Sequence, residues 1–393
     1  MKKLAANNFI LYDFMQIAGG AERVTLTLAE ALPGFQVLVS RCYAAAQPLL
    51  ESSSASVEEL RGGWSVCLPR ILESMWCFRL RAQCLRDAKQ VIYSGFYAPF
   101  AVYIQRGGQR VYYCHTIPRY AYDLYEITLS RMPLPVRPMY AVFILCFRKY
   151  YKSAISRMDK ILVNSENVRQ RLKNFTGLDA EVVYPPVDTR DFQQLGDGGY
   201  YLSTARLVPT KRVDMIVRAF LRMPRHKLVV LSGGPELGRL KALAASASNI
   251  TFTGWQTDLQ VRTWVGQARA VIYVPVDEDF GISPVEAMAA GKPVIGVAEG
   301  GLLETVVDDV TGFLVNGPLS VEAIIAAVIK TERFRGASMS AACIAQAQRF
   351  TTERFVERIR SILFGETVKN SSSDLHSFES RSTSDDHATN PWC

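Results

Sequence analysis

Between Asp277 and Glu286 the chain reads DEDFGISPVE, just after the apolar run AVIYV. Glu278 and Glu286 enclose seven residues, among them Gly281 and Pro284, which no ordinary helix or loop requires. A carboxylate can accept both hydroxyls of a vicinal diol, so two of them spaced along one ligand suit a sugar and a ribose. Gly281 lets backbone come close to such a ligand, and Pro284 suits the first turn of a helix continuing into EAMAAG. The N–H groups of Phe280, Gly281 and Ile282 would then face a phosphate or a sugar. Four other places have matching chemistry. Gly19-Gly20 precede a helix from Ala21, His115 closes VYYCH, Arg206 and Lys211 follow YYLSTA, and Gly233-Gly234-Pro235 follow HKLVVLS. Each alone has an ordinary explanation: a turn, a structural histidine, surface charges, an acid favoured by a helix dipole. Together they can hold an extended, polyhydroxylated anion.

The surrounding elements explain why these residues fall where they do. Short apolar runs alternate with amphipathic stretches along the chain. FILYDF, FQVLVS, VIYSGF, VYYCH and KILVNS read as strands in the first half, with AERVTLTLAEAL and SENVRQRLKNF as helices, the second capped by Ser165. In the second half YYLSTA, HKLVVLSG, NITFTG, AVIYVP, KPVIGVA and TGFLV are strands. VDMIVRAFLRM, LGRLKALAASA, DLQVRTWVGQA, SPVEAMAAG and SVEAIIAAVIK are the helices between them. Such alternation, occurring twice, predicts an α/β protein of two Rossmann-like parallel-sheet domains facing a cleft. Ligands of such sheets bind at the carboxyl ends of strands, where all the residues above are placed. The predicted organisation is a first domain over 1–187, a second over 188–350, a helix over 351–364 packing back toward the first, and a disordered Ser-rich tail over 365–393. Pro185-Pro186 mark the join.

Composition narrows the class. At 393 residues the chain suits two domains. Its longest apolar run, nine residues from Met139 to Phe147, is well short of the ~20 a membrane span needs. The N-terminus has no sustained apolar region that would predict a signal peptide. Eight cysteines are scattered singly, most within apolar segments, and there are four histidines, so neither a disulfide framework nor a metal site is predicted. The expectation is a cytoplasmic, metal-independent protein. The net charge of +8 lies wholly in residues 1–188, where 23 Lys and Arg face 15 Asp and Glu; residues 189–393 balance at 22 each. A basic first half attracts phosphates, whether of a substrate, nucleic acid or anionic lipid. The aromatic and basic segment 137–158 fits equally a helix lying on an acidic membrane surface and a core helix with a basic edge.

The block DEDFGISPVEAMAAGKPVIGVAEGGLLETVVDDVTGFLV resembles the signature region of the retaining glycosyltransferases of family four, which have the two-domain B-type fold. The likeness extends through GGAERV, VVYPPVD, STARLVPTKRVDMIVRAF, SGGPE and NITFTGW, from about Phe9 to Leu363. It implies that Glu286 holds the ribose of a nucleotide-sugar and Glu278 the hydroxyls of the transferred sugar. Arg206 and Lys211 would neutralise the leaving diphosphate, helped by backbone amides near Gly281. Gly20 would allow close approach from the first domain, and His115 would contact the donor sugar. Gly19, Gly234, Phe280 and Ile282 complete the donor set. The resemblance further implies front-face attack assisted by the leaving phosphate, with no metal or other cofactor. HTIPRYAYDLYE, EDFGI and YPPVD are most similar to a branch using GDP-mannose in bacterial surface-polysaccharide assembly, apart from Ile117, where that branch more often has proline. The implied partners are a nucleotide-sugar and a lipid-linked or oligosaccharide acceptor, with peripheral contact to the cytoplasmic face of an anionic inner membrane and no nucleic acid. A UDP- or other nucleotide-sugar donor is the alternative within the class. A dehydrogenase would need the Gly-x-Gly-x-x-Gly that is missing after the first strand, and a non-catalytic nucleic-acid binder would not need Glu278, Glu286, Arg206 and Lys211 together.

Overall fold

The computed structural model describes residues 7–17, 19–62, 70–245, 247–334 and 336–365; the N-terminal lysines, Cys67, Cys393 and the Ser-rich tail lie outside them. Within them the alternating pattern builds two sheets. The first comprises β1 (Asn8–Tyr12), β2 (Phe35–Val39), β3 (Val57–Glu59), β4 (Gln90–Ser94), β5 (Gln109–Cys114), β6 (Lys160–Val163) and β7 (Glu181–Val182), in the order β3-β2-β1-β4-β5-β6-β7. The second comprises β8 (Tyr200–Ser203), β9 (Lys227–Leu231), β10 (Ile250–Gly254), β11 (Val271–Tyr273), β12 (Val294–Val297) and β13 (Gly312–Val315), in the order β10-β9-β8-β11-β12-β13. All the strand pairings are parallel. Strands such as FQVLV and YYLS are buried on both faces, so they read as continuous apolar runs rather than alternating ones.

Each strand order reverses once, between β1 and β4 and between β8 and β11. A crevice opens outside the carboxyl ends of the strands at such a reversal. Asp13 and the loop from Gly95 leave the first crevice; Arg206 and the loop carrying Glu278 leave the second.

The domains are joined more intimately than one linker would require. Helix Thr352–Phe364 begins at Thr351, whose hydroxyl accepts the Arg354 N–H, and stops at Gly365 with φ 68°. Its stripe of Phe355, Ile359 and Leu363 is buried in the same core as Ile10, Val37 and Tyr113 of the first domain. Burial of three such side chains contributes roughly 1.5–3 kcal/mol each. The chain therefore crosses between domains at Val187 and again at Thr351, and the crossings lie side by side, with Val187 N–H donating to Phe350 O at 2.9 Å.

Several elements escaped the sequence pattern. β3 and β7 are edge strands too short for a period, and residues 44–52, 70–87, 98–103 and 119–136 form short helical turns. One expectation is corrected. Of the six described cysteines, Cys77, Cys114 and Cys343 are buried, but Cys84 and Cys146 are exposed and Cys42 is half-buried, because apolar neighbours in sequence do not dictate which side of a short helix a thiol occupies. Segment 137–158 is one helix, Arg137–Ile155, with two characters. Ile144, Phe147, Tyr151, Ala154 and Ile155 are buried, whereas Met139, Val142 and Leu145 are exposed.

Candidate functional site

The second domain supplies most of the charged groups. Helix Ile282–Ala289 starts at Gly281, whose φ of 91° lies in the region side chains avoid. No described residue accepts a hydrogen bond from the N–H of Phe280, Gly281 or Ile282. Phe280 can offer only its backbone, since its ring is buried between Tyr184 and Phe350. Lys211 Nζ forms an ion pair with Glu278 and donates to Tyr273 Oη at 2.9 Å. An ammonium and a carboxylate thus meet at one point, as a ligand whose phosphate adjoins its sugar would require. Arg206 is exposed and makes no ion pair with a described residue. Gly234, at φ 152°, would place a Cβ 2.3 Å from Leu207 O. Its role is to let the 233–235 loop lie against the backbone beside Arg206.

Glu286 sits in the floor of the cleft, with partial solvent contact yet deep enough for desolvation to dominate. Burial pushes its carboxyl up to about 7, against the pull of Arg23 from the first domain; Asp258 adds to the rise, and Arg262 and Ser283 oppose it.

The first domain closes over this crevice. Its helix Gly20–Ala31 begins beside helix Ile282–Ala289, and a Cβ on Gly20 would lie 2.8 Å from Ile282 Cδ1. Two helix N-termini converge there, and their positive ends favour an anion between them. Arg23 reaches across to Asp258 with bonds of 2.8 and 2.9 Å. Gly19 is packed against the carboxylate of Glu22, which is buried and accepts the N–H groups of Gln16 and Ile17. Burial pushes Glu22 up, while Arg206 across the cleft pulls it down. Sequence reasoning passed over Glu22; its one signal is its place two residues after Gly20.

His115 lies just past β5, with Nε2 2.9 Å from Ser94 Oγ at the end of β4 and its ring packed edge-on against Tyr12 and Tyr113. Burial lowers its pKa to about 4, so the imidazole is neutral near pH 7 and suits a hydroxyl partner better than a phosphate. The loop after Ser94 is held by Asp13, which accepts the N–H groups of Phe96, Tyr97 and Ala98 at 2.6, 2.8 and 2.9 Å.

The acidic triplet Asp277-Glu278-Asp279 divides. Only Glu278 faces Lys211. Asp277 is bound by Arg171 at 2.8 Å and Arg119 at 3.0 Å, while Asp279 pairs with Arg171 and accepts from Thr116 at 3.0 Å. These partners all belong to the first domain and lie far off in sequence, so no local pattern revealed them. The residue after His115 thus touches the residue after Glu278. Glu304, of the GGLLET run, likewise accepts the N–H groups of Glu166 and Asn167 at 2.7 and 2.9 Å, at the start of the helix Glu166–Thr176 that Ser165 caps.

Residues 18–191 match the family described as glycosyltransferase family 4, and residues 188–350 the family described as glycosyl transferases group 1. Among curated proteins, a D-inositol 3-phosphate glycosyltransferase of Mycobacterium leprae is 31% identical over 191 residues, covering 42% of this chain and 44% of that protein. Its Mycobacterium bovis counterpart is 29% identical over 190 residues, covering 42% of this chain and 39% of that protein. The match therefore spans less than half the length of these relatives. In solved structures, Anabaena HepE in complex with UDP and glucose superposes with a TM-score of 0.70 at 19% identity, covering 91% of this chain and 99% of that one. WaaG, a glycosyltransferase involved in lipopolysaccharide biosynthesis, superposes with a TM-score of 0.66 at 15% identity, covering 91% and 100%. At these identities the likeness is one of fold.

Proposed function

This chain belongs to the two-domain glycosyltransferases of the family 4 and group 1 type, whose two models together match residues 18–350, and on that premise we propose that it transfers a hexose, with retention, from a nucleotide-sugar to a lipid-linked or saccharide acceptor of cell-surface polysaccharide assembly. GDP-mannose is the proposed donor, on the likeness of HTIPRYAYDLYE, EDFGI and YPPVD to that branch. The observation that carries the reading is the meeting of Lys211 and Glu278 beside two converging helix N-termini, with Arg206 making no ion pair among the described residues. A diphosphate seated between those N-termini receives Arg206 and Lys211 as counter-charges. Both gain strength as the departing phosphate gathers negative charge. Glu278 then holds the sugar, neutral His115 donates to or accepts from one of its hydroxyls, and Glu286 accepts the ribose diol. The cations and amides already balance the diphosphate, and arginines occupy Asp277 and Asp279, so transfer is proposed to need no metal. The test is an assay of the purified protein against labelled GDP-, UDP- and other nucleotide-sugars with lipid-linked acceptors, with and without EDTA. Transfer from GDP-mannose in chelator, with the donor's anomeric configuration kept, is expected. Preference for a UDP-sugar would replace the donor, and loss in EDTA restored by manganese would overturn the metal-free mechanism.

The high pKa of Glu286 sets a pH dependence. The folded chain keeps a proton on Glu286 that an unfolded one releases, so this group subtracts stability as pH rises from 4.5 toward 7. Donor hydroxyls need the carboxylate, so binding improves over the same rise. Affinity for GDP-mannose, whose diphosphate does not titrate here, should be about tenfold weaker at pH 6 than at pH 8. Calorimetry at both values checks this; an equal affinity, or the same slope in Glu286→Gln, would separate the effect from Glu286.

No helix of the described residues is long and apolar enough to cross a membrane. Helix Arg137–Ile155 instead carries exposed Met139, Val142 and Leu145, continuing on the same face to exposed Lys149 and Lys152. We propose that this stripe docks reversibly on anionic lipid, where lipid-linked acceptors reside. Each such lysine contributes about 1 kcal/mol, so Lys149→Glu with Lys152→Glu should weaken partition onto anionic vesicles by roughly 30-fold or more. Sedimentation with anionic and neutral vesicles decides it: equal binding to both would remove the electrostatic account.

A further inference from the structure

The loop that carries Glu278 is held from both domains: its own supplies Lys211 and the bonds Val276 N–H to Thr210 O and Gly301 N–H to Glu278 O, each 2.8 Å, whereas the carboxylates beside Glu278 are held by the first domain. Asp277 and Asp279, on either side of Glu278, are bound by Arg171, whose side chain is 6% exposed, and Arg119 adds a bond of 3.0 Å to Asp277 O. Asn167 Nδ2 donates to Glu278 O at 2.9 Å, and Ser165 Oγ donates to Asp279 O. Asp123 balances the guanidinium groups from behind, 2.7 Å from Arg119 and 4.0 Å from Arg171. Asp277 itself has φ 42°, a conformation a non-glycine residue holds only when its surroundings impose it. Four of these first-domain side chains, Arg171, Arg119, Asn167 and Ser165, together with Thr116 beside His115, act on three consecutive residues of the second domain.

We propose that Arg171, with Arg119, is a positioning residue: it clasps Asp277 and Asp279 so that Glu278 is presented to the donor sugar opposite His115 only when the two domains are together. This rests on the transferase reading above. The two adjacent crossings at Val187 and Thr351 form a hinge, and interdomain contacts of this polar kind open and close readily. When the domains part, the carboxylates lose their guanidinium partners, and what the second domain retains on Asp277 is the long 3.3 Å bond from its N–H to Glu299. The sugar end of the site then loses its shape. The nucleotide end keeps Glu286, Gly281 and Arg206, which all belong to the second domain, and gives up only the N-terminus of helix Gly20–Ala31. Nucleotide binding and turnover should therefore separate, which a merely structural arginine would not bring about.

The experiment compares wild type, Arg171→Gln, Arg119→Gln, Asp279→Asn and the Arg171→Gln/Asp279→Asn double variant by transfer kinetics, GDP calorimetry and small-angle scattering. The expected result for Arg171→Gln is a kcat about 30-fold lower, on the scale of an ångström-sized misplacement, with GDP affinity within about threefold. The double variant should be little worse than Arg171→Gln alone, since Arg171→Gln already removes the Arg171–Asp279 pair along with the bond to Asp277, and the radius of gyration should increase. Should Arg171→Gln not fold, Arg119→Gln and Asp279→Asn decide by the same criteria. A folded variant with near-normal kcat, a loss of GDP affinity as large as the loss of kcat, or fully additive effects would overturn the clasp. If wild type transfers from no nucleotide-sugar, the transferase reading fails on its own, and the scattering comparison still decides the clasp: unchanged compactness refutes it.

Discussion

Arg206→Ala and Lys211→Ala are each expected to lower turnover by about a hundredfold or more, the scale on which one preorganised charge contact stabilises a transition state. The two should nevertheless differ in how they fail. Arg206 is exposed and makes no ion pair with a described residue, so its removal chiefly takes away attraction, with Glu22 across the cleft losing a distant counter-charge. Lys211 neutralises Glu278, so Lys211→Ala leaves a bare carboxylate facing the incoming diphosphate. It should raise donor KM as well as lower kcat. Adding Glu278→Gln to Lys211→Ala should recover part of that binding but none of the turnover. Steady-state kinetics on the three variants separates these effects, and near-normal turnover in both single variants would place Arg206 and Lys211 outside the site.

Much of this arrangement was legible because it is local. A parallel sheet buried on both faces writes its strands as unbroken apolar runs, so VIY before the acidic loop and YYLS before Arg206 stood out, and ligand groups in such folds follow the strands directly. Gly281 was legible because its positive φ demands glycine. What remained hidden is long-range. Arg171 and Asp279 are 108 positions apart, and nothing near either names the other. Glu22 could be assigned no partner until the fold brought it within the field of Arg206. The ion pair of Lys211 with Glu278 was likewise out of reach, because it depends on how two loops from β8 and β11 meet. Chemistry carried by residue type was readable, and partnership across the cleft was not.

The two glutamates of the acidic block should part in the same way. Glu286 lies within helix Ile282–Ala289 and is held rigidly, as a group gripping the nucleotide must be. Ribose contacts are shared by substrate, transition state and released nucleotide, so losing them weakens all three. Glu286→Gln should therefore weaken GDP about tenfold or more, the scale of a hydrogen bond to a charged group, and raise donor KM in proportion. Glu278 is assigned the sugar, which GDP lacks, and it pairs with Lys211. Its replacement frees Lys211 for the phosphates, so Glu278→Gln should bind GDP as well as wild type or more tightly while turnover falls.

The claim that most depends on this geometry is that one cleft holds the nucleotide at Glu286 and the sugar at Glu278. Calorimetric titration of GDP into wild type, Glu286→Gln and Glu278→Gln side by side tests it most directly. Weakened binding in Glu286→Gln with undiminished binding in Glu278→Gln is the predicted result; GDP lost by Glu278→Gln and kept by Glu286→Gln would contradict it.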